Sequence, residues 1–166
     1  MAAVHAVVGL GSNLGDRGRR LRDAFDALTA VRDTRVLRTS ALYRTPAWGR
    51  TDQPEFLNAA ALLATALSPR ALLDTLLAIE REAGRDRAVG ERWGPRTLDL
   101  DLLLYGDAVL DEPGLQLPHP HLHARAFALV PLLDVAPDAV IPGRGSARAA
   151  LAALDAASAR GVEAVA

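Results

Sequence analysis

Leu98, Asp99, Leu100, Asp101 and Leu102 alternate between apolar and charged side chains, and this period of two constrains the whole chain. Successive side chains of a strand point to opposite faces, so the three leucines project one way and both carboxylates the other. Two like charges side by side are costly without a compensating cation, and aspartate is depleted in strand interiors. A solvated polar face is one reading. The other is Mg²⁺, which prefers carboxylate oxygens and shares its shell with substrate phosphates. The preceding Arg92-Trp93-Gly94-Pro95-Arg96-Thr97 supplies two arginines whose planar forks suit phosphate oxygens. The local chemistry reads as Mg-nucleotide handling.

The rest of the chain supplies partners for that strand. Residues 4–10 are a short apolar run leading into Gly9-Leu10-Gly11-Ser12-Asn13-Leu14-Gly15, read as a strand and a tight turn. Residues 16–30 form a helix with an apolar stripe at Leu21, Ala24, Phe25 and Leu28. Residues 36–45 read as one strand stopped by Pro46, and residues 55–67 as another. Ser68 and Pro69 open a second helix, as N-cap and first helical residue. That helix runs through Leu72, Leu73, Leu76 and Ile79 to a stop near Gly84. Residues 97–105 are the aspartate-bearing strand, and residues 108–110 a short one. A helix is expected over 124–133, bent or ended by Pro131, and an alanine-rich one over 146–158. The order β-α-β-β-α-β is the ferredoxin-like split arrangement. The expected class is α+β, an antiparallel sheet with helices packed on one face and C-terminal additions. Residues 1–160 are expected to form a single domain, with 161–166 a frayed tail.

Composition narrows the function. A chain of 166 residues suits one domain, and half of them are hydrophobic. The net charge of −1 gives no basic excess for nucleic acid or a membrane surface. There is no cysteine for disulfides or a thiolate metal site. No signal peptide and no span of about 20 apolar residues is visible, so a soluble, cytoplasmic protein is the expectation; a monomer acting on small molecules is expected separately. All 19 basic residues are arginine. A Walker-type phosphate loop requires a lysine and is excluded.

Several residue groups admit two readings. Arg85, Arg87, Arg92 and Arg96 are either a solvated loop balanced by Asp86 and Glu91 or an arginine loop closing on polyphosphate. The glycines from Gly9 to Gly15 have the spacing GxGxxxG, which fails the dinucleotide fingerprint and suits a tight turn with close backbone approach. Phe56 and Asn58 share a strand face. They are core residues, or an aromatic wall with an amide that reads a heterocycle's edge. His119, His121 and His123, between prolines and without cysteine, do not read as a Zn²⁺ site; one histidine on a phosphate fits better.

These segments resemble a known family. Tyr43-Arg44-Thr45-Pro46, Asp52-Gln53-Pro54-Glu55-Phe56-Leu57-Asn58, the block from Arg92 to Asp101, and Pro118-His119-Pro120 with Arg125-Ala126-Phe127 look like 6-hydroxymethyl-7,8-dihydropterin pyrophosphokinases of folate biosynthesis. The resemblance runs from Gly11 to about Pro137. It implies that a pterin hydroxymethyl oxygen attacks the β-phosphorus of ATP and AMP leaves. It further implies two Mg²⁺ ions on Asp99 and Asp101 and catalytic-loop arginines at Arg85 and Arg96. The implied ATP contacts are Glu80, Arg87, Arg92, Trp93, Leu102, Leu115, His119 and Arg125. The implied pterin pocket is Thr45, Pro46, Trp48, Phe56, Asn58, Trp93 and Phe127, with the two phenylalanines sandwiching the ring. Leu77, Gly114, Gln116 and Pro120 depart from residues found in some relatives, as does one extra residue between Arg87 and Arg92. A regulatory ferredoxin-like module would have no need of paired aspartates behind an arginine loop. A polymerase-like nucleotidyl transferase would release pyrophosphate instead of AMP.

Overall fold

The computed structural model describes residues 3–12, 17–45, 56–84, 98–154 and 161–165. In chain order the elements are β1 (Val4–Ser12), α1 (Arg17–Thr29), β2 (Thr34–Thr39), β3 (Tyr43–Thr45), β4 (Phe56–Thr65), α2 (Pro69–Gly84) and β5 (Asp99–Tyr105). A hairpin of β6 (Leu110–Glu112) and β7 (Leu115–Leu117) follows, then a 3-10 turn (Leu122–Ala124) and α3 (Ala126–Val135). Next come β8 (Val140–Ile141), β9 (Gly145–Ser146), α4 (Ala147–Ala152) and β10 (Glu163–Ala164).

The main sheet is antiparallel in the order β10-β3-β4-β1-β5, with β2 also on β4. Helical periodicity sets one face. Leu21, Ala24 and Leu28 of α1 and Leu72 and Leu76 of α2 are buried on Ala6, Val8 and Leu10, on Leu57, Ala59, Ala61 and Leu63, and on Leu98, Leu100 and Leu102. The N-cap of α2 is as the sequence indicates: Ser68 Oγ accepts the Ala71 amide at 3.1 Å.

The other face is covered by the C-terminal additions, whose place the sequence left open. Val7, Ala60, Leu103 and Leu104 pack beneath Leu122, Leu129, Leu132, Val135, Ile141 and Ala147 from the C-terminal additions. An apolar second face left open to water would be unfavourable. A bulge in β5 helps: Val7 pairs with Leu104 and Val8 with Leu102, so Leu103 is the extra residue. Alternation breaks there, and Leu102, Leu103 and Leu104 are all buried.

Four boundaries differ from the sequence expectation. The strand expected over 36–45 is split. Ser40 donates its amide to the Ala60 carbonyl at 2.9 Å, and its Oγ accepts the Ala60 amide at 2.8 Å. That exchange fixes a corner between β2 and β3. The hairpin β6–β7 turns at Pro113 and Gly114 (φ 74°), the pair a tight turn with a positive second φ prefers. Pro131 lies inside α3 without ending it; lacking an N–H, it gives nothing to the Phe127 carbonyl. The tail expected to fray instead pairs on β3, with the Val165 amide on the Leu42 carbonyl (2.8 Å) and Arg44 on Glu163 (3.1 Å). It satisfies backbone groups on the outer edge of β3. Of the C-terminal helix expected over 146–158, the described part is α4, capped by Ser146 Oγ on the Ala149 amide.

Candidate active site

Parity along three strands assembles one surface. Burial of Leu98, Leu100 and Leu102 against α1 and α2 turns Asp99 and Asp101, both half-buried, to the opposite face. On β4, Phe56 and Asn58 share the face of Ala60, which packs on the α3 side. On β1, lying between these two strands, that face carries Gly9 and Gly11. The register makes Asn58, Gly11 and Asp99 one rung and Ala60, Gly9 and Asp101 the next. Adjacent strands lie about 4.8 Å apart, so the backbones of Asn58 and Asp99 are about 10 Å apart. Only main chain lies between them. A Cβ on Gly11 would come 3.1 Å from Asn58 Nδ2. The sequence suggested a turn role for these glycines. The structure keeps both in β1, because pairing continues on both sides of the strand as far as Gly11.

The amide side of this floor is formed by β3 and β4. Thr45 Oγ1 donates to Asn58 Oδ1 at 3.2 Å, and both residues are buried. Phe56, at the start of β4, is 38% exposed, unlike the buried Leu57 beside it. Phe127 is in the first turn of α3, and the Arg125 guanidinium lies 5.6 Å from its ring centroid, within cation–π range.

The carboxylate side opens into a cavity of about 700 Å³ between α2, the outer edge of β5 and the β6–β7 hairpin. Glu80, Asp99, Asp101, Leu102, Leu115 and His119 all line it. The Leu100 amide donates to Glu80 Oε2 at 2.7 Å, which marks the free edge of β5. Alternation puts the Leu102 main chain on that same edge, facing the cavity. Leu73 and Leu77 add apolar surface, and Asp111 and Gln116, joined at 3.1 Å, a polar wall. Leu73 and Asp111 were not anticipated as lining residues; no motif marks them.

His119 is half-buried. Burial first, then the positive charges of Arg125 and His121, hold its imidazole below the usual histidine range, and Asp99 opposes them. His119 Nδ1 accepts the His121 amide at 3.2 Å. The neutral ring therefore carries its proton on Nε2 and is a donor there.

Pro46, Trp48, Arg85, Arg87, Arg92, Trp93 and Arg96 lie outside the described residues. Two hard carboxylate donors on one strand face suit Mg²⁺. Among the described residues no group of three or more histidines, cysteines or carboxylates could hold a metal ion. A cation on Asp99 and Asp101 would need further ligands from water and substrate, which is the habit of Mg²⁺.

The fold and this surface can be set beside known proteins. Residues 7–137 match the family model described as 7,8-dihydro-6-hydroxymethylpterin-pyrophosphokinase (HPPK). A 2-amino-4-hydroxy-6-hydroxymethyldihydropteridine pyrophosphokinase of Methylorubrum extorquens is 49% identical over 150 residues, covering 90% of this chain and 93% of the relative. The protein of the same name from Pseudomonas aeruginosa is 50% identical over 135 residues, covering 81% of this chain and 82% of the relative. The crystal structure of wild-type Plasmodium falciparum HPPK-DHPS superposes with a TM-score of 0.68 at 15% identity. It covers 90% of this chain, which spans only 44% of that longer one. That likeness establishes the class of fold, a mixed α/β architecture on an antiparallel sheet. The chain belongs to the 7,8-dihydro-6-hydroxymethylpterin-pyrophosphokinase family.

Proposed function

We propose that this protein transfers the pyrophosphoryl group of ATP to 6-hydroxymethyl-7,8-dihydropterin and releases AMP, a step of folate biosynthesis. The observation that carries the reading is the Asn58–Gly11–Asp99 rung. It sets an amide suited to a flat heterocycle one bare strand away from carboxylates that open into a large cavity. The strand order is read as ferredoxin-like, with β2 and β3 together in the second strand's place.

Asn58 and Thr45 read the pterin's polar edge, and Phe56 and Phe127 stack on its faces. The cavity beside β5 takes the nucleotide: Leu73 and Leu77 meet the base, the Leu102 main chain offers hydrogen bonds, and the His119 Nε2–H donates to a phosphate oxygen. Asp99 and Asp101 would hold Mg²⁺, which supplies charge neutralisation along the polyphosphate. The pterin oxygen bonds to the β-phosphorus as the bridge to the α-phosphate breaks towards AMP. The chain's work is alignment and charge, since phosphoryl transfer asks little covalent chemistry of a protein. By family resemblance, Arg85 and Arg96 assist the transferring group, and Arg87, Arg92, Trp93 and Arg125 contact ATP. Pro46, Trp48 and Trp93 complete the pterin pocket. The protein is read as acting alone, as a cytoplasmic monomer.

Incubation with ATP, Mg²⁺ and hydroxymethyldihydropterin should yield AMP and a pyrophosphorylated pterin in equal amounts. Release of pyrophosphate would point to nucleotidyl transfer, and binding without turnover to a regulatory module; either result refutes the reading.

A further inference from the structure

One carboxylate holds α3 onto the corner between β2 and β3. Asp134 Oδ2 accepts from Tyr43 Oη at 2.6 Å and from the Ala41 amide at 3.2 Å. The first is in the range of charge-assisted O–H···O⁻ bonds. Burial, then the hydrogen bond and charge of Asp134, push the Tyr43 phenol up to about 12, so it remains a donor. Asp134 lies in the last turn of α3. Unsatisfied carbonyls make that end of a helix negative, and a carboxylate there is disfavoured. Helix formation alone gives no reason for the acid.

The same two elements carry opposite sides of the pterin site. Phe127 is seven residues before Asp134, nearly two turns away on the same helix face and about 10 Å along the axis. Thr45 is two residues beyond Tyr43, on the same face of β3. The Asp134 contact joins the last turn of α3 to the start of β3, and Phe127 and Thr45 stand on those two elements, seven and two residues from it. β3 has only three residues, and its ladder to β4 sets its place within the sheet but not its distance from α3.

We propose that Asp134 is a positioning residue for the pterin: by tying Tyr43 and Ala41 to α3, it sets the spacing between Thr45 and Phe127. The proposal rests on the pyrophosphokinase reading. Steady-state kinetics with both substrates test it on the wild type and on Asp134→Ala, Asp134→Asn and Tyr43→Phe, with melting temperatures alongside. Asp134→Ala should raise the pterin KM about five- to tenfold and leave kcat and the ATP KM within about twofold. Asp134→Asn keeps an acceptor oxygen and should recover most of the loss. Tyr43→Phe should raise the pterin KM part of the way and add nothing when combined with Asp134→Ala. An unchanged pterin KM in Asp134→Ala overturns the proposal, as does an equal loss for both substrates. Should Asp134→Ala fail to fold, an unchanged pterin KM in Tyr43→Phe overturns it equally. A wild type that forms no AMP removes the pyrophosphokinase reading and the proposal with it, whereas an active enzyme with unmoved pterin KM values removes the positioning role alone.

Discussion

Replacing Gly11 with alanine puts one methyl group into the main-chain floor of the site. Its Cβ would lie 3.1 Å from Asn58 Nδ2, several tenths of an ångström inside an ordinary contact of about 3.5 Å. The backbone does not resist, because Gly11 is a strand residue outside the left-handed region. Relief must come from the Asn58 amide, which turns away from Thr45. Loss of that 3.2 Å hydrogen bond costs the fold about 1 kcal/mol; for binding, the turned amide no longer presents its edge to the ring, and the methyl occupies space a flat ring would use. Together these weaken pterin binding by about 1–2 kcal/mol, roughly 5- to 30-fold in Kd. Stability should move little. Alanine restricts the unfolded chain, a gain of about 0.4–1 kcal/mol that offsets the lost bond. The assay is pterin titration in the presence of Mg²⁺ and a non-hydrolysable ATP analogue, with thermal melting alongside. Gly9→Ala is the control. Its Cβ would meet the Leu103 Cδ1, also at 3.1 Å, and the end of a leucine can move aside without touching Asn58. A Gly11→Ala protein that binds pterin within about twofold of wild type would refute the assignment of this rung to the pterin.

Three further expectations can be checked directly. Asp101→Ala should lower kcat by at least about 10³-fold with the fold intact; full Mg²⁺-supported turnover would remove the metal assignment. Phe127→Ala should weaken pterin binding by about 1–3 kcal/mol through lost burial and stacking, while affinity for the ATP analogue holds; an unchanged pterin affinity would discredit that wall. Tyr43 should leave a mark on alkaline stability. An unfolded tyrosine loses its proton near 10.0 and this folded one near about 12. Between those values the unfolded state holds fewer protons, so stability declines as pH rises through the window. Thermal melts across it should fall less steeply for Tyr43→Phe than for wild type, and equal slopes would show that the shift is absent.

What the sequence made legible follows the range of the forces involved. Leu21, Ala24 and Leu28 mark α1, and Ser68 and Pro69 cap α2, because helix periodicity and capping act within a few residues. The alternation from Leu98 to Leu102 likewise fixed the facing of Asp99 and Asp101. The corner at Ser40 was not readable. Residues 36–45 look uniformly like strand, and the break depends on Ala60, twenty residues away. Pro113-Gly114 did carry a local turn signal for the β6–β7 hairpin, but the hairpin's strands are only three residues each. The place of Gly11 between Asn58 and Asp99 comes from register with two other strands, which no local pattern encodes. Asp134 stands among apolar neighbours in α3, and only the fold supplies its partner Tyr43.

The second face of the sheet is shared between two uses. Towards one end, Val7, Ala60 and Leu104 are roofed by α3 and the segments after it; towards the other, the same strands carry Gly11, Asn58 and Asp99, the floor of the proposed site. Arg125 and Phe127, which the proposed function sets against ATP and pterin, belong to this roof or lie next to it. The larger cluster beneath α1 and α2 does not depend on it. A sub-global opening that lifts the roof would disarm the enzyme while most amides of the central strands stayed protected from hydrogen exchange. Heat inactivation below the cooperative melting of the sheet would be the mark of such a partial opening.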